Sequence, residues 1–515
     1  MNRYPLGIQT FEEIRKNNQY YVDKTDLIYN IVKGSKSNFL NRPRRFGKSL
    51  LVTTMQAYFE GKKDLFKGLA IEKLEKEWVK YPVIHLDLSR GKYYEIQVVH
   101  STLNAVLGFY EAKLGITVAE GRTYGTRLDE IIQTTAAQTG QKVVVLIDEY
   151  DAPMLDSNAK PELQEQIRSI MRDFFSPLKA NEGLLRFVFL TGITKSSQLS
   201  IFSELNNIKN YSLDDEFGAI CGFTQEEILS TFHEGIHEMA KANNLTTEQT
   251  IAKMKEQYDG YRFTPHCPNI YNPYSVLNAL HDKKFSNYWF ATGTPTFLLE
   301  LLIKNDIEMP QLEGIVATED QFDSPTDNIG NPIPVLYQSG YLTIKDYDEG
   351  IYTLGYPNEE VRMGLNRSML NYIAPQYGLK TTAFAAQFRA AMRKDDIDTA
   401  MKVLQSFLAA FPYDIHHNRE DYFQAILFTI FITLGFTIHA EVKTARGRID
   451  LLISTKTTIF VMELKIDQNA EKALAQIDAK DYTLPYKHDG RRIFKVGINF
   501  STEKRTVDEW RYEEA

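Results

Sequence analysis

An α/β fold in several domains is predicted for this chain of 515 residues, and three observations predict it. Near the start, a short apolar stretch, a loop ending in Gly47-Lys48-Ser49 and a helical pattern follow one another. Further on, the apolar run Val143 to Ile147 ends in two acids, Asp148 and Glu149. The last hundred residues read as helix, three strands and helix, with Asp450 on one strand and Glu463-Leu464-Lys465 on the next. Alternating strand and helix signals up to about residue 210 are what a parallel sheet with covering helices requires.

The first element is Phe39-Leu40, the end of a strand. Asn41-Arg42-Pro43-Arg44-Arg45-Phe46-Gly47-Lys48-Ser49 then leads directly into the helical run Leu50 to Met55. Backbone N–H groups at such a helix start wrap phosphates, Lys48 would reach the terminal ones, and Ser49 would ligate Mg²⁺. The candidate nucleotide segment is therefore Arg44, Arg45, Phe46, Gly47, Lys48, Ser49 and Leu50. The first glycine of the G-x-x-x-x-G-K-[ST] pattern would fall at position 42, where this chain has Arg42, so the match is incomplete. Val83 to Leu88 is a second strand. Val143 to Ile147 reads as a buried parallel strand, whose Asp148 would hold Mg²⁺ through water while Glu149 polarises the attacking water. Arg186 to Gly192 is a further strand, with Thr191 near its end.

This set resembles the bacterial AAA-ATPase-like family, in which the Arg-Pro-Arg-Arg-Phe-Gly-Lys-Ser form of the loop is usual. Tyr20 to Thr25, Tyr258 to Phe263, Tyr271 to Val276 and Tyr288 to Gly293 look like other recurring segments of that family. The resemblance implies ATP and Mg²⁺ as cofactors and puts Thr191 where AAA-type proteins keep a polar sensor of the γ-phosphate. Arg262 is either a finger on that phosphate or an arginine stacked in an aromatic turn. An AAA-like core is expected over 1–222 and a helical lid over 223–295, the latter including Gln225 to Ala242 and Thr247 to Tyr258.

A connector is expected over 296–410. Its helix end near Gln338, strands Tyr341 to Ile344 and Ile351 to Leu354, and turn Asp348-Glu349-Gly350 resemble a winged-helix unit. Acids at Asp346, Asp348 and Glu349 favour a structural role for that wing over DNA binding. Pro325 to Pro332 is the clearest turn-rich loop. Helical segments from Glu360 to Phe411 lead to the last domain, 411–515.

That domain begins with Glu420 and an apolar segment to Gly435 that reads as a buried helix. Strands Thr437 to Lys443 and Arg448 to Ser454 form a hairpin, Thr458 to Lys465 is a third strand, and Ala470 to Lys480 is a helix. Two carboxylates at one sheet edge hold a hard Mg²⁺ through oxygen, and a lysine beside them orients or deprotonates the attacking water. The pattern resembles the PD-(D/E)XK nucleases, in particular the C-terminal domain of bacterial proteins that carry an AAA-ATPase-like domain in front. The resemblance implies that Asp450 and Glu463 bind metal, Lys465 is the catalytic lysine and Glu420 completes the site. Gln476 and Tyr482 match the Gln and Tyr that follow the core in many members. Glu441 competes with Glu420 for the third acidic place, and Arg448 either meets a phosphate or caps the hairpin. His416-His417 reads as surface loop, because adjacent residues on a helix do not face each other.

A net charge of −8 argues against a protein that coats nucleic acid through bulk electrostatics. Basic residues nonetheless gather about the phosphate loop, with no acid between Asp26 and Glu60. Two cysteines, Cys221 and Cys267, without paired spacing indicate neither zinc nor a disulfide framework and suit a cytoplasmic protein. The longest apolar stretch is shorter than the roughly 20 residues that span a bilayer, so no membrane partner is expected. The expected function is an ATP-binding protein and ATPase coupled to a Mg²⁺-dependent nuclease acting on nucleic acid, DNA foremost. The alternative is a nucleotide-dependent scaffold or signalling switch with a silent nuclease fold. Monomer and homo-oligomer are both left open.

Overall fold

Five short parallel strands form the centre of the front half of the chain: β1 Ser37–Asn41, β2 Val83–Asp87, β3 Val143–Asp148, β4 Leu185–Gly192 and β5 Ile208–Asn210, in the order β2-β3-β4-β1-β5. Every residue of β3 is buried, which is why its sequence is a continuous apolar run: both sheet faces are covered. Helix α1, Lys48–Phe59, puts Phe59 against Phe187 on one face. Helices α2 Ile96–Leu114, α3 Tyr124–Thr139 and α4 Pro161–Phe175 bury Leu103, Leu128, Ile131 and Phe174 on the other, against Ile84, Val145 and Val188. Because β4 lies between β1 and β3, the C-terminal ends of all three open on the same edge, with Leu40 beside Thr191 and Ile147 beside Leu190.

The structure is a computed structural model that describes residues 3–515 except 118, 120, 158–159, 196–207, 293–295, 306, 308, 327–330, 374–377, 409–426, 428–436, 445, 456 and 505. The chain divides into two compact units, Met1–Thr292 with Gly314–Glu360, and Gly293–Glu313 with Val361–Ala515. Glu420, the apolar segment after it save Leu427, and His416-His417 lie outside the described residues.

In the first unit the lid helices α5 Gln225–Ala242 and α6 Thr247–Tyr258 each begin with a capping box, Thr224 with Glu227 and Thr246 with Gln249. They share a core with α7, Pro273–Asp282. The expected connector is split between the two units. Its wing, made of β6 Ile315–Ala317, helix α8 Ile333–Gln338, β7 Thr343–Asp348 and β8 Ile351–Gly355, belongs to the first unit. Specific contacts explain that membership. The Lys195 N–H donates to Gln338 Oε1 at 2.7 Å, Lys195 pairs with Asp323, and the Arg262 N–H donates to Thr343 Oγ1 at 2.7 Å.

The remaining helices, α9 Glu359–Ile373, α10 Gly378–Met392 and α11 Ile397–Leu408, run on into the second unit. Its sheet is mixed, in the order β13-β12-β11-β10-β9: β9 Thr437–Thr444, β10 Gly447–Ser454, β11 Thr458–Ile466, β12 Arg492–Ser501 and β13 Thr506–Glu514. The first three are the expected hairpin and third strand; β12, parallel to β11, and β13 were not foreseen. Helix α12, Ala470–Ala479, crosses from β11 to β12 and lies so close that a Cβ at Gly497 would stand 2.3 Å from the Ala470 carbonyl oxygen. Gln405 Nε2 donates to the Val507 carbonyl and Thr506 Oγ1 to the Gln405 carbonyl, fixing α11 to β13. No helix among the described residues is long and apolar enough to cross a membrane.

Candidate nucleotide and metal sites

The loop between β1 and α1 turns on two left-handed residues, Arg45 with φ 67° and Gly47 with φ 92°. Glycine adopts that backbone freely, and its C-terminal neighbours supply the open N–H groups of the helix start. Lys48, nearly buried, lies 3.3 Å from the Pro43 carbonyl and 3.2 Å from Glu149 Oε1. The loop is pinned from below: the Gly222 N–H donates to the Phe46 carbonyl, and the Phe46 ring meets Tyr261 and Phe263 edge on.

Arg42 takes the place where phosphate loops carry their first glycine, and its guanidinium turns inward. It donates to the carbonyls of Asn41, Ser212 and Phe217 at 2.9 to 3.1 Å and stacks over Phe263. Burial lowers its pKa, yet three carbonyls and a ring face keep company with the charge. Thus the two arginines that face solvent are Arg44 and Arg45, the latter over the Tyr274 ring at 4.9 Å.

At the sheet edge, burial and then the neighbouring Glu149 push Asp148 up to about 6, against the hydroxyl of Ser49, which bonds to it. Its Oδ1 is buried and meets no hydrogen-bond partner among the described residues. A hydroxyl oxygen and a carboxylate with a spare oxygen form an all-oxygen donor set, which suits Mg²⁺. Glu149 sits in the left-handed region at φ 52°, a strained conformation for a glutamate. The next acid, Asp151, is wholly buried and accepts the N–H groups of Ile193 and Thr194 and the Thr194 hydroxyl. It ties the end of β3 to the end of β4, and a Cβ at Gly192 would stand 2.2 Å from its Oδ1. Sequence reasoning passed over Asp151, although Asp148-Glu149-Tyr150-Asp151 repeats the acid at a spacing that brings it back to the edge.

Two expected residues are engaged elsewhere. Thr191 is fully buried and its hydroxyl donates to the Leu40 carbonyl at 2.7 Å, locking β1 to β4. The Arg262 side chain reaches the Lys345 carbonyl of the wing at 3.4 Å. The loop opens on a cavity of about 440 Å³ whose walls also include Gly7, Phe232 and Leu277, which no motif had singled out, and Tyr20 and Tyr274, which lie in the recurring segments Tyr20 to Thr25 and Tyr271 to Val276.

In the second unit, β10 and β11 pair through Leu451 and Met462, so the next residues along, Asp450 and Glu463, fall opposite each other where the strands part. Asp450 Oδ2 accepts the Leu464 N–H at 2.8 Å. Glu463 is 1% exposed, and Lys465, two residues on and therefore on the same face, sets its Nζ 3.0 Å from Glu463 Oε1 and 2.9 Å from the Leu464 carbonyl. The three groups are thus gathered at one point. The register of β9 on β10 brings position 441 opposite position 450. Tyr482 is buried, and its hydroxyl accepts the Arg448 N–H at 3.2 Å beneath Gly447, steadying the hairpin that carries Asp450. Gln476 lies half-buried on α12.

Residues 5–202 match the family model described as Predicted AAA-ATPase, and residues 418–510 match the PD-(D/E)XK nuclease superfamily. The Azotobacter chroococcum mcd 1 protein called "Uncharacterized protein in vnfD 5'region" is 31% identical over 517 residues, covering 98% of each chain. Among solved structures, Cdc6p from Pyrobaculum aerophilum is similar at 12% identity with a TM-score of 0.23, over 69% of this chain and 93% of that one. The ORC2 protein of Aeropyrum pernix is similar at 10% identity with a TM-score of 0.24, over 67% and 93%.

Proposed function

The chain belongs to the family that joins a predicted AAA-ATPase domain to a PD-(D/E)XK nuclease domain, and from that premise we propose that it binds and hydrolyses ATP in its first unit and cleaves nucleic acid, DNA foremost, in its second. The observation that carries the reading is that one chain assembles both sets of groups. Lys48, Ser49, Asp148 and Glu149 meet at one sheet edge, and Asp450, Glu463 and Lys465 meet at another.

In the first unit, the N–H groups at the start of α1 and the Lys48 ammonium would neutralise the phosphate oxygens. Ser49 and Asp148 would hold Mg²⁺ by oxygen. Glu149, within reach of Lys48, would take up the proton of the attacking water, and Asp151 would keep the ends of β3 and β4 in register while it does so. In the second unit Asp450 and Glu463 would hold Mg²⁺, with Glu420 or Glu441 completing the set. The metal would polarise a phosphoryl oxygen when bound. Lys465, steadied by Glu463 and the Leu464 carbonyl, would orient the water that attacks the phosphodiester, and Arg448 would meet a flanking phosphate.

Supercoiled plasmid incubated with the protein and Mg²⁺, with and without ATP, tests the reading beside the Asp450→Ala variant. Cleavage that disappears in the variant supports it. Equal cleavage by both proteins overturns the site. A second reading, a nucleotide-dependent switch whose nuclease fold only docks a partner, draws on the net charge of −8 and predicts nucleotide binding with no cleavage by either protein.

A further inference from the structure

Glu360 is buried to 1% exposure at the very end of the first unit, and no step proposed above uses it. Its two carboxylate oxygens point different ways. Oε1 accepts the Trp289 N–H at 2.7 Å, with the neighbouring N–H groups of Tyr288 and Phe290 also turned to the carboxylate. Oε2 accepts the Ser275 hydroxyl, also at 2.7 Å.

Each branch ends on the phosphate loop. From Trp289, the indole Nε1 donates to the Arg44 carbonyl at 3.0 Å. From Ser275 the chain steps back one residue to Tyr274, whose ring carries the Arg45 guanidinium at 4.9 Å. So the two exposed arginines of the loop, adjacent in sequence, are held by two arms that converge on one buried carboxylate. That carboxylate belongs to the first turn of α9, and every residue of α9 after Glu360 belongs to the second unit.

We propose that Glu360, with Trp289 and Ser275, is a coupling relay: a phosphate group drawn into the loop moves the Arg44 carbonyl and the Arg45 side chain, and the two arms pass that movement to the start of α9. The relay rests on the nucleotide reading of the loop. The three residues act through the loop and are positioning residues. Phosphates need the N–H groups between Arg44 and Ser49 turned toward them, and the Arg44 carbonyl, on the same peptide as the Arg45 N–H, cannot rotate without stretching or releasing its bond to the indole. A buried carboxylate meeting several N–H and O–H donors resists being left with fewer of them, so the strain falls on the helix that bears it.

Hydrogen exchange of the full chain, with and without the non-hydrolysable analogue AMPPNP and Mg²⁺, tests the relay, together with plasmid cleavage with and without ATP. Binding of a fluorescent ATP analogue is measured alongside. In the wild type, the analogue should change protection across residues 361–373. In Trp289→Phe, which keeps an aromatic ring and removes the donor, and in Ser275→Ala, the analogue should still bind within about threefold of wild type while that change shrinks by half or more. The ratio of cleavage with ATP to cleavage without should fall toward one. Nucleotide bound with α9 protection unaltered in the wild type overturns the relay alone, as does an unchanged response in both variants. No nucleotide binding by the wild type overturns the loop reading and the relay together. Glu360→Gln, which keeps the size and one acceptor oxygen, should fall between wild type and Trp289→Phe.

Discussion

Glu149 Oε1 stands 3.2 Å from Lys48 Nζ, so the ammonium that would meet ATP phosphates already has a carboxylate beside it. The two anions compete for one cation. Glu149→Gln removes the competitor and the proton acceptor together. It is expected to bind ATP at least as tightly as the wild type and to hydrolyse it about 10²- to 10⁴-fold more slowly. Lys48→Ala is expected to lose binding. Equilibrium binding and phosphate release, measured on the same preparations, check both.

Asp450→Asn and Glu463→Gln keep the shape of their sites and remove the charge. Each is expected to abolish Mg²⁺-dependent cleavage, as is chelation of the metal by EDTA. Lys465→Ala should leave metal binding in place and slow cleavage about 10²-fold or more. Metal binding followed by calorimetry separates the two effects.

Gly497 pairs with Glu463 across β11 and β12, and only its missing side chain lets α12 approach. The atom that a Cβ would meet there is the backbone carbonyl oxygen of Ala470, so Gly497→Ala must push the helix outward. A loss of about 1–3 kcal/mol in the stability of the second unit is expected, with cleavage reduced as β11 shifts. Urea unfolding followed by circular dichroism measures it. Gly490→Ala, on an open turn with φ 87°, is the comparison for backbone strain without a clash.

Burial raises the Glu360 carboxyl to about 7 in the folded chain, outweighing its bonds to Ser275, Trp289, Phe290 and Tyr288, from an ordinary value of 4.5. Between those two values the folded state holds more of this proton than the unfolded one, so this contribution to stability is complete below about 4.5 and is lost as pH rises through about 7. Glu360→Gln lacks the titration. The stability difference between wild type and Glu360→Gln, from denaturant midpoints at pH 5, 6, 7 and 8, should therefore move against the wild type as pH rises. A flat difference contradicts the assignment.

Periodicity and motif made much of this fold legible. The continuous run of β3 announced a strand covered on both faces, and Gly47-Lys48-Ser49 announced a helix start. In the second unit, the turn after Thr444 set the hairpin register, and the register decides which residues meet: one pair, Leu451 with Met462, places Asp450 against Glu463. Other features depend on contacts far apart in the chain. Asp151 matters because Ile193 and Thr194 come to it from another strand, and Thr191 is turned to Leu40 by the order of the strands. The wing joins the first unit through Gln338 and Thr343, whose partners lie 143 and 81 residues away. The last two strands escaped notice because β12, nearly buried along its length, sits beside a charged β13 that shows no apolar alternation at its outer end.

The inward-facing guanidinium of Arg42 has a bearing on where this protein can be cut. Two of its three carbonyl partners, those of Ser212 and Phe217, and the ring beneath it, Phe263, come after residue 202, the end of the stretch that matches the ATPase family model. A fragment trimmed to that stretch would strip Arg42 of two of its three acceptors and of the ring that covers it, and would open the loop's underside to water. The stretch that matches the family model is thus shorter than the segment that packs around the loop, and a nucleotide-binding fragment needs to extend at least through Phe263.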